Sequence, residues 1–340
     1  MASVAEKQLT TYSQWRIFRD CRMACKYRYF DNLVPLDRAH TLRFGATIHE
    51  CLELWHNSLN FPVVQKHIDL SYPDRNALNE QGEAEKADWH LAHAMMEGYV
   101  LHYPTEDFDV LALEKGFEGA IINPQTGAES RSFRLAGKVD GIVKKDGLYY
   151  LLEHKTTSAI DGAYIEKLWT DFQITLYAGY LEQTMGITIS GIIYNILAKA
   201  KLRQSRGETE AEFEERRAGL IAKSKTGKSS AKRKLPETDE EFRTRLEEKY
   251  AVPAMFHREM LFLSRDRFRE LQAELWELSK SLLDARRRGV WYRNTSQCFN
   301  CGRPCAYWPI CSSGGNPLVI ENNYVVQAPH EELNAEPLAF

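Results

Sequence analysis

With 340 residues, 44% of them hydrophobic, the chain is long enough to bury a substantial core, as one large domain or as a domain with insertions. Its net charge of −3 excludes a uniformly basic nucleic-acid-binding surface and confines any such surface to a local groove. No run reaches the roughly eighteen apolar residues of a membrane span, and MASVAEKQLT carries no apolar signal core, which predicts a cytoplasmic protein with no membrane partner.

Ser13 is the predicted cap of an N-terminal helix that carries Trp15, Phe18 and Cys21. A second helix runs through GATIHECLELW, where Ile48, Cys51, Leu52 and Trp55 recur at helical spacing around His49, and residues 84–103 read as a third. Strands are predicted over 108–118, 131–143 and 148–155. A helix follows in which Gln173 and Tyr177 stand four apart, hence on one face, and GIIYNIL at 191–197 reads as a buried strand.

From about 200 to 250 the composition turns charged, with few aromatics. KSKTGKSSAKRK, residues 223–234, is basic and aperiodic, which predicts a mobile loop, either a solvated linker or an arm that orders on a phosphate backbone. Its Gly-Lys-Ser is not part of a Walker A loop, because Ala222 stands where that loop requires glycine. FHREMLFL at 256–263 precedes an amphipathic helix over 266–289 that leads to a cysteine-rich end. The pattern is α/β. It divides into an N-terminal helical region (1–105), a core (106–200), a charged insertion (201–255) and a C-terminal region (256–340).

The most informative stretch is GKVDGIVKKDGLYYLLEHK, residues 137–155. Asp146-Gly147 is a two-residue hairpin signal between β-rich runs. If Lys145 pairs with Leu148, counting outward sets Asp140 opposite Glu153. Directly opposed residues share a face with Cβ atoms roughly 5 Å apart, where like charges are destabilising unless neutralised. A divalent cation would neutralise them. Alternation then turns His154 to the other face and returns Lys155 to the acidic one. Val139, Ile142, Val143, Leu151 and Leu152 make both strands too apolar for a solvated hairpin.

This stretch resembles the core of the PD-(D/E)xK nuclease superfamily, in particular its RecB-like branch, with the family's two acids and lysine falling on Asp140, Glu153 and Lys155. The proline of the name is Val139 here. The resemblance implies a restriction-endonuclease-like mixed central sheet flanked by helices. It further implies Mg²⁺ or Mn²⁺ held by Asp140, Glu153 and the backbone carbonyl of His154, with Lys155 aiding the attacking water. His49 matches a helix histidine that supplements the metal site, and Glu114, in VLALEKGF, matches an acid on the preceding strand. Gln173 and Tyr177 match a Q-x-x-x-Y motif close to the substrate. The implied function is that of an exonuclease on DNA, with single-stranded ends favoured, in a bacterial, archaeal or phage-infected cell. A recombination or CRISPR-adaptation protein is the implied partner.

Seven cysteines occur, four of them in CFNCGRPCAYWPIC, with Cys21 and Cys25 near the other end. An odd count without a secretory signal disfavours a disulfide framework, and thiolates at such spacing select zinc or an iron-sulfur cluster. Spacing leaves the two open. The resemblance implies a [4Fe-4S] cluster on Cys21, Cys305, Cys311 and either Cys298 or Cys301, with Cys25 ranked below Cys21. Cys51 reads as a small buried hydrophobe. The competing reading is a zinc-stapled DNA-binding or assembly protein whose nuclease core is inactive.

Overall fold

The computed structural model describes residues 7–36, 40–300, 302–330 and 333, the side chains of 40–42 excepted. In chain order the elements begin with β1 (Gln8–Thr10), α1 (Tyr12–Asp20), α2 (Arg22–Tyr29), β2 (Leu33–Pro35), α3 (His40–Ser58), α4 (Phe61–Ser71) and α5 (Glu80–His102). The core continues with β3 (Asp109–Ile122), β4 (Glu129–Lys145), β5 (Leu148–Thr157), α6 (Gly162–Leu168), α7 (Phe172–Met185) and β6 (Ile189–Ala198). Then come α8 (Glu210–Lys223), α9 (Asp239–Tyr250), β7 (Phe256–Phe262) and α10 (Arg265–Arg288). The last elements are β8 (Phe299–Asn300), β9 (Arg303–Pro304), α11 (Trp308–Ser312), α12 (Pro317–Asn323) and β10 (Tyr324–Val326).

Six of the strands form one mixed sheet in the order β1-β4-β5-β6-β7, with β3 along the other side of β4. The β4–β5 hairpin turns on Asp146 (φ 51°) and Gly147 (φ 80°). Two left-handed residues make the turn whose twist suits adjoining strands, which is why Asp-Gly is placed there. Lys145 pairs with Leu148 and Gly141 with Leu152, the last pair of the ladder, one step short of Asp140 and Glu153. β5 and β6 run parallel, as strands joined by a helical crossover do, and β7 closes the edge antiparallel to β6.

Helices cover both faces, as a sheet apolar on both sides requires. On one face α1, α7 and α10 bury Trp15, Phe18, Ile174, Leu271 and Leu275 against Phe133, Leu151 and Ile196 of the sheet. On the other, α3, α4, α5 and α9 bury Ile48, Leu52, Ile68, Met95 and Leu246. At the chain ends, β10 pairs antiparallel with β2, and Tyr307 donates to the Leu33 carbonyl at 2.9 Å. Among the described residues no helix is long and apolar enough to cross a membrane.

Two sequence expectations change. The first helix is capped by Thr11, whose hydroxyl accepts from the Gln14 amide, two residues before Ser13. The charged stretch after residue 200 contains two helices, α8 and α9, each opened by a reciprocal capping box, Thr209/Glu212 and Thr238/Glu241. α8 buries no residue, so it has no apolar periodicity for a sequence reading to detect.

Gly191 marks the closest approach within the sheet, because a Cβ there would lie 2.4 Å from the Leu261 carbonyl oxygen, a backbone atom that cannot turn aside. Gly191→Ala is expected to destabilise the fold by about 2–3 kcal/mol. Chemical denaturation checks this, and an unchanged midpoint would contradict the packing.

Candidate active site

The hairpin brings the two acids together at a break in the strand pattern. Phe133, Leu135 and Val139 enter the α7 core from odd positions of β4, whereas Ile142 enters it from an even one and Val143 packs elsewhere with Phe108, Tyr150 and Leu152. Alternation therefore slips by one residue around Asp140. Glu114, opposite Asp140 by the β3–β4 register, has φ 47°, a conformation uncommon for a residue with a side chain. The slip lets the Asp140 carboxylate accept the His154 amide hydrogen at 2.7 Å, which ties β4 to β5 where the ladder ends.

Each acid has a cationic partner. His49, projecting from α3, sets Nδ1 3.3 Å from the Asp140 carboxylate. Burial alone would lower its pKa, yet the Asp140 charge and hydrogen bond, helped by Glu153, raise it to about 9. Burial would likewise raise Asp140, but His49 and the His154 amide hold it well below the usual carboxylate range. Glu153 goes the other way: burial first and the Asp140 charge second push it up to about 7, against the pull of Lys155. The Lys155 ammonium lies 2.7 Å from Glu153 and 3.1 Å from Asp171, so it is held in its charged form between two carboxylates.

Asp171 is a site residue that the sequence reading missed. It occupies the N-cap of α7 but makes no capping hydrogen bond, its carboxylate being turned to Lys155. An acid at a helix start ordinarily reads as a cap, which hides this role. Gln173 follows it, half-buried in the first turn of α7. Tyr177, expected at the substrate, instead turns inward: it is 4% exposed and packs edge-on against Phe117, with ring centroids 4.8 Å apart. Glu114 pairs with Lys138, and burial, reinforced by Asp140, raises its pKa.

Behind the acids lies a buried polar layer with no motif of its own. The His154 ring stacks on His56 with centroids 5.3 Å apart and planes 3° apart, and its Nδ1 is 3.0 Å from the Asn195 amide nitrogen. Asn195 donates to the Tyr99 hydroxyl at 3.1 Å, as does Arg258, which also pairs with Glu106 at 2.6 Å. Burial drives His154 down to about 3, and His56 down as well, so both imidazoles are neutral. Together these groups fix β5, and with it the backbone on which Glu153 and Lys155 stand.

A second constellation lies at the chain ends. Cys21, Cys298, Cys305 and Cys311 line one cavity of about 260 Å³, and the Cys305 thiol is raised by burial and by the charges of the other three. Cys25 is fully buried and points to the Gln14 carbonyl, and Cys51 lies in the core around α3. Cys301 lies outside the described residues. Among the described residues no three His, Cys, Asp or Glu side chains gather closely enough to hold a single metal ion.

Residues 10–312 match the sequence profile of the PD-(D/E)XK nuclease superfamily. No curated protein is significantly similar to the chain. Among solved structures, a candidate exonuclease from Eubacterium rectale superposes with a TM-score of 0.45 and 9% identity, over 89% of this chain and 90% of that one.

The Glu153 shift has a definite sign. A carboxyl raised from 4.5 to about 7 keeps in the fold a proton that the unfolded chain releases, so stability falls as pH rises through that window and the full cost remains above it. Glu153→Gln is expected to stabilise the protein in EDTA by about 1–3 kcal/mol at pH 8, shrinking to below about 0.5 kcal/mol at pH 4.5. Urea titrations at both pH values test this, and equal effects would refute it.

Proposed function

We propose, because the chain belongs to the PD-(D/E)XK nuclease superfamily, that it is a metal-dependent deoxyribonuclease. In this reading it is a RecB-like exonuclease acting in the cytoplasm on DNA ends or single strands during recombination or repair. The carrying observation is the gathering of Asp140, Glu153 and Lys155 at the open end of the hairpin, where the Asp140 carboxylate accepts from the His154 amide and Lys155 is bound to Glu153.

The donor set fits Mg²⁺ or Mn²⁺. Asp140 and Glu153 offer hard oxygens, and Mg²⁺ is commonly held by one or two carboxylates with waters and substrate phosphates completing its shell. His49 would join as a ligand only in its neutral form, so binding there would release its proton. The chemistry such an ion supplies is neutralisation of phosphate charge and acidification of an attacking water. The chain's own residues do the rest. Asp140, fixed by the His154 amide, presents an ionised oxygen at a set position. Lys155 carries a permanent positive charge toward the same face, where it orients the phosphate and stabilises charge that develops on it. Asp171 keeps that ammonium in place when Glu153 is otherwise engaged. Gln173, near this face, is the residue assigned to substrate contact, whereas Tyr177 supports its helix from the core.

The four thiols fit a [4Fe-4S] cluster on Cys21, Cys298, Cys305 and Cys311. They border a volume larger than one ion, and thiolates favour iron-sulfur clusters and zinc over hard cations. The resemblance to iron-sulfur members of the family is what favours a cluster over zinc. The cluster would join the two chain ends and takes no part in hydrolysis.

Asp140→Asn and Lys155→Ala are each expected to lower kcat/KM on end-labelled DNA in Mn²⁺ by at least about 10²–10³-fold, with circular dichroism and iron content unchanged. Full cleavage by either pure variant, or by the native protein in EDTA, would sink the mechanism. Anaerobically purified protein is expected to be brown and to contain iron and sulfide, both lost in Cys305→Ser. Stoichiometric zinc with no iron would restore the zinc-stapled reading.

A further inference from the structure

The charged insertion is a built arm. At its root, Gln204 donates to the Glu237 carbonyl at 3.0 Å, and Arg245 binds both Glu237 and the Arg203 carbonyl. Above it, the Glu208 amide bonds the Lys234 carbonyl while Glu208 accepts from Arg216 and from the Lys234 amide. Arg216 also donates to the Lys232 carbonyl at 2.9 Å. The backbone of the return limb is thus pinned from one side. α8 extends the arm by about 21 Å at 1.5 Å per residue. A helix of that length, burying nothing, is marginal by itself, so its caps and ion pairs are what hold it.

The return limb of the arm is one-signed where it faces solvent, whereas α8 carries the exposed acids Glu210, Glu214 and Glu215. Residues 223–234 hold six basic side chains and no acid, and all six are exposed. Arg233 is paired with Glu210, but Lys223, Lys225, Lys228 and Lys232 have no carboxylate within ion-pair distance among the described residues. Without these six charges the remaining chain would carry −9 (−3 less six), so this segment is a marked exception on an acidic molecule. Its position relates it to the site. β6 pairs with β5 through Lys155↔Ile196 to Thr157↔Ala198, and the Lys199 amide then donates to the Thr157 carbonyl at 2.7 Å. The chain enters the arm from the strand end beside Lys155.

We infer that this arm is a nucleic-acid grip, in which Lys223, Lys225, Lys228 and Lys232 bind backbone phosphates of the strand beyond the scissile bond. The inference rests on the nuclease reading and adds to it where the substrate is held. Exposed ammonium groups without acidic partners, on a limb pinned at Lys232 and Lys234, match a polyphosphate chain and offer no base-specific geometry. The contacts are therefore independent of sequence and sensitive to salt. Each phosphate contact on a single strand contributes about 0.7 to the slope of log K against log salt.

The test replaces all four lysines together, as Lys223→Ser, Lys225→Ser, Lys228→Ser and Lys232→Ser. Binding of a fluorescent 40-nucleotide single strand is followed in EDTA from 50 to 200 mM NaCl, and KM and kcat are measured in Mn²⁺. The native protein is expected to lose roughly 50-fold more affinity than the serine variant across that range, with the variant's defect appearing in KM. The same four positions changed to arginine should restore the native slope, and Lys280→Ser, on α10, should leave it unchanged. A serine variant with the native slope and KM, in a native protein that cleaves DNA, overturns the grip and leaves the nuclease reading intact, including the case in which the arm binds a protein. A native protein that neither binds nor cleaves DNA overturns both.

Discussion

Two negative charges facing each other across a strand pair are the constraint around which this molecule is arranged. Asp146 and Gly147 close a tight turn whose ladder runs out to Gly141 and Leu152, and just beyond it the Asp140 carboxylate accepts the amide hydrogen of His154, the neighbour of Glu153. Left alone, such a pair disfavours the fold. The surrounding groups compensate: the His154 amide and His49 hold Asp140 ionised, and Lys155, braced by Asp171, faces Glu153. The two acids consequently differ, one strongly acidic and one titrating near neutrality. That split is a frequent mark of functional carboxylates.

The layer behind them gathers the polar side chains buried on the α3/α5 side of β5. His154, Asn195, Tyr99, Arg258 and Glu106 come from three strands, a helix and a loop and are linked in one chain of contacts, although His154 Nε2, Asn195 Oδ1 and Arg258 Nε are buried without a hydrogen-bond partner. The hydrogen bonds that such a buried network does make are strong at low dielectric and are lost if its members shift. Here those bonds tie the His154 ring of β5 to Asn195 of β6. Hydrophobic packing on the opposite face, around Leu151 and Ile196, would by itself tolerate more variation.

How far the sequence discloses all this depends on the range of each interaction. The hairpin was legible because a two-residue turn fixes register by counting, and the helix around His49 because its apolar residues recur every three or four positions. The convergence of Cys21 with three C-terminal thiols was legible only through family resemblance, since nothing local joins them. Asp171 and His56 were not legible, because an acid at a helix start and a histidine on a helix each have commoner explanations. Tyr177 shows the limit of spacing arguments. Four residues set it on one face with Gln173, but the bare backbone of Gly137, where a Cβ would lie 2.6 Å from the tyrosine ring, lets that ring sink into the core. α8 escaped notice because it packs on nothing.

The pairing of β2 with β10 bears on how the chain is made. The strand at Leu33 leaves the ribosome long before its partner at Val326, and at roughly 5–20 residues per second the interval is about 15–60 s. During that time Ala24, Tyr27 and Leu33 have no Tyr307, Ile310 or Tyr324 to cover them. The amino-terminal lobe of a nascent chain therefore presents sticky apolar surface and an unpaired strand edge until residues 307–326 have been made. Early chain termination would leave that surface exposed for good, making truncated products natural clients for chaperones and proteases.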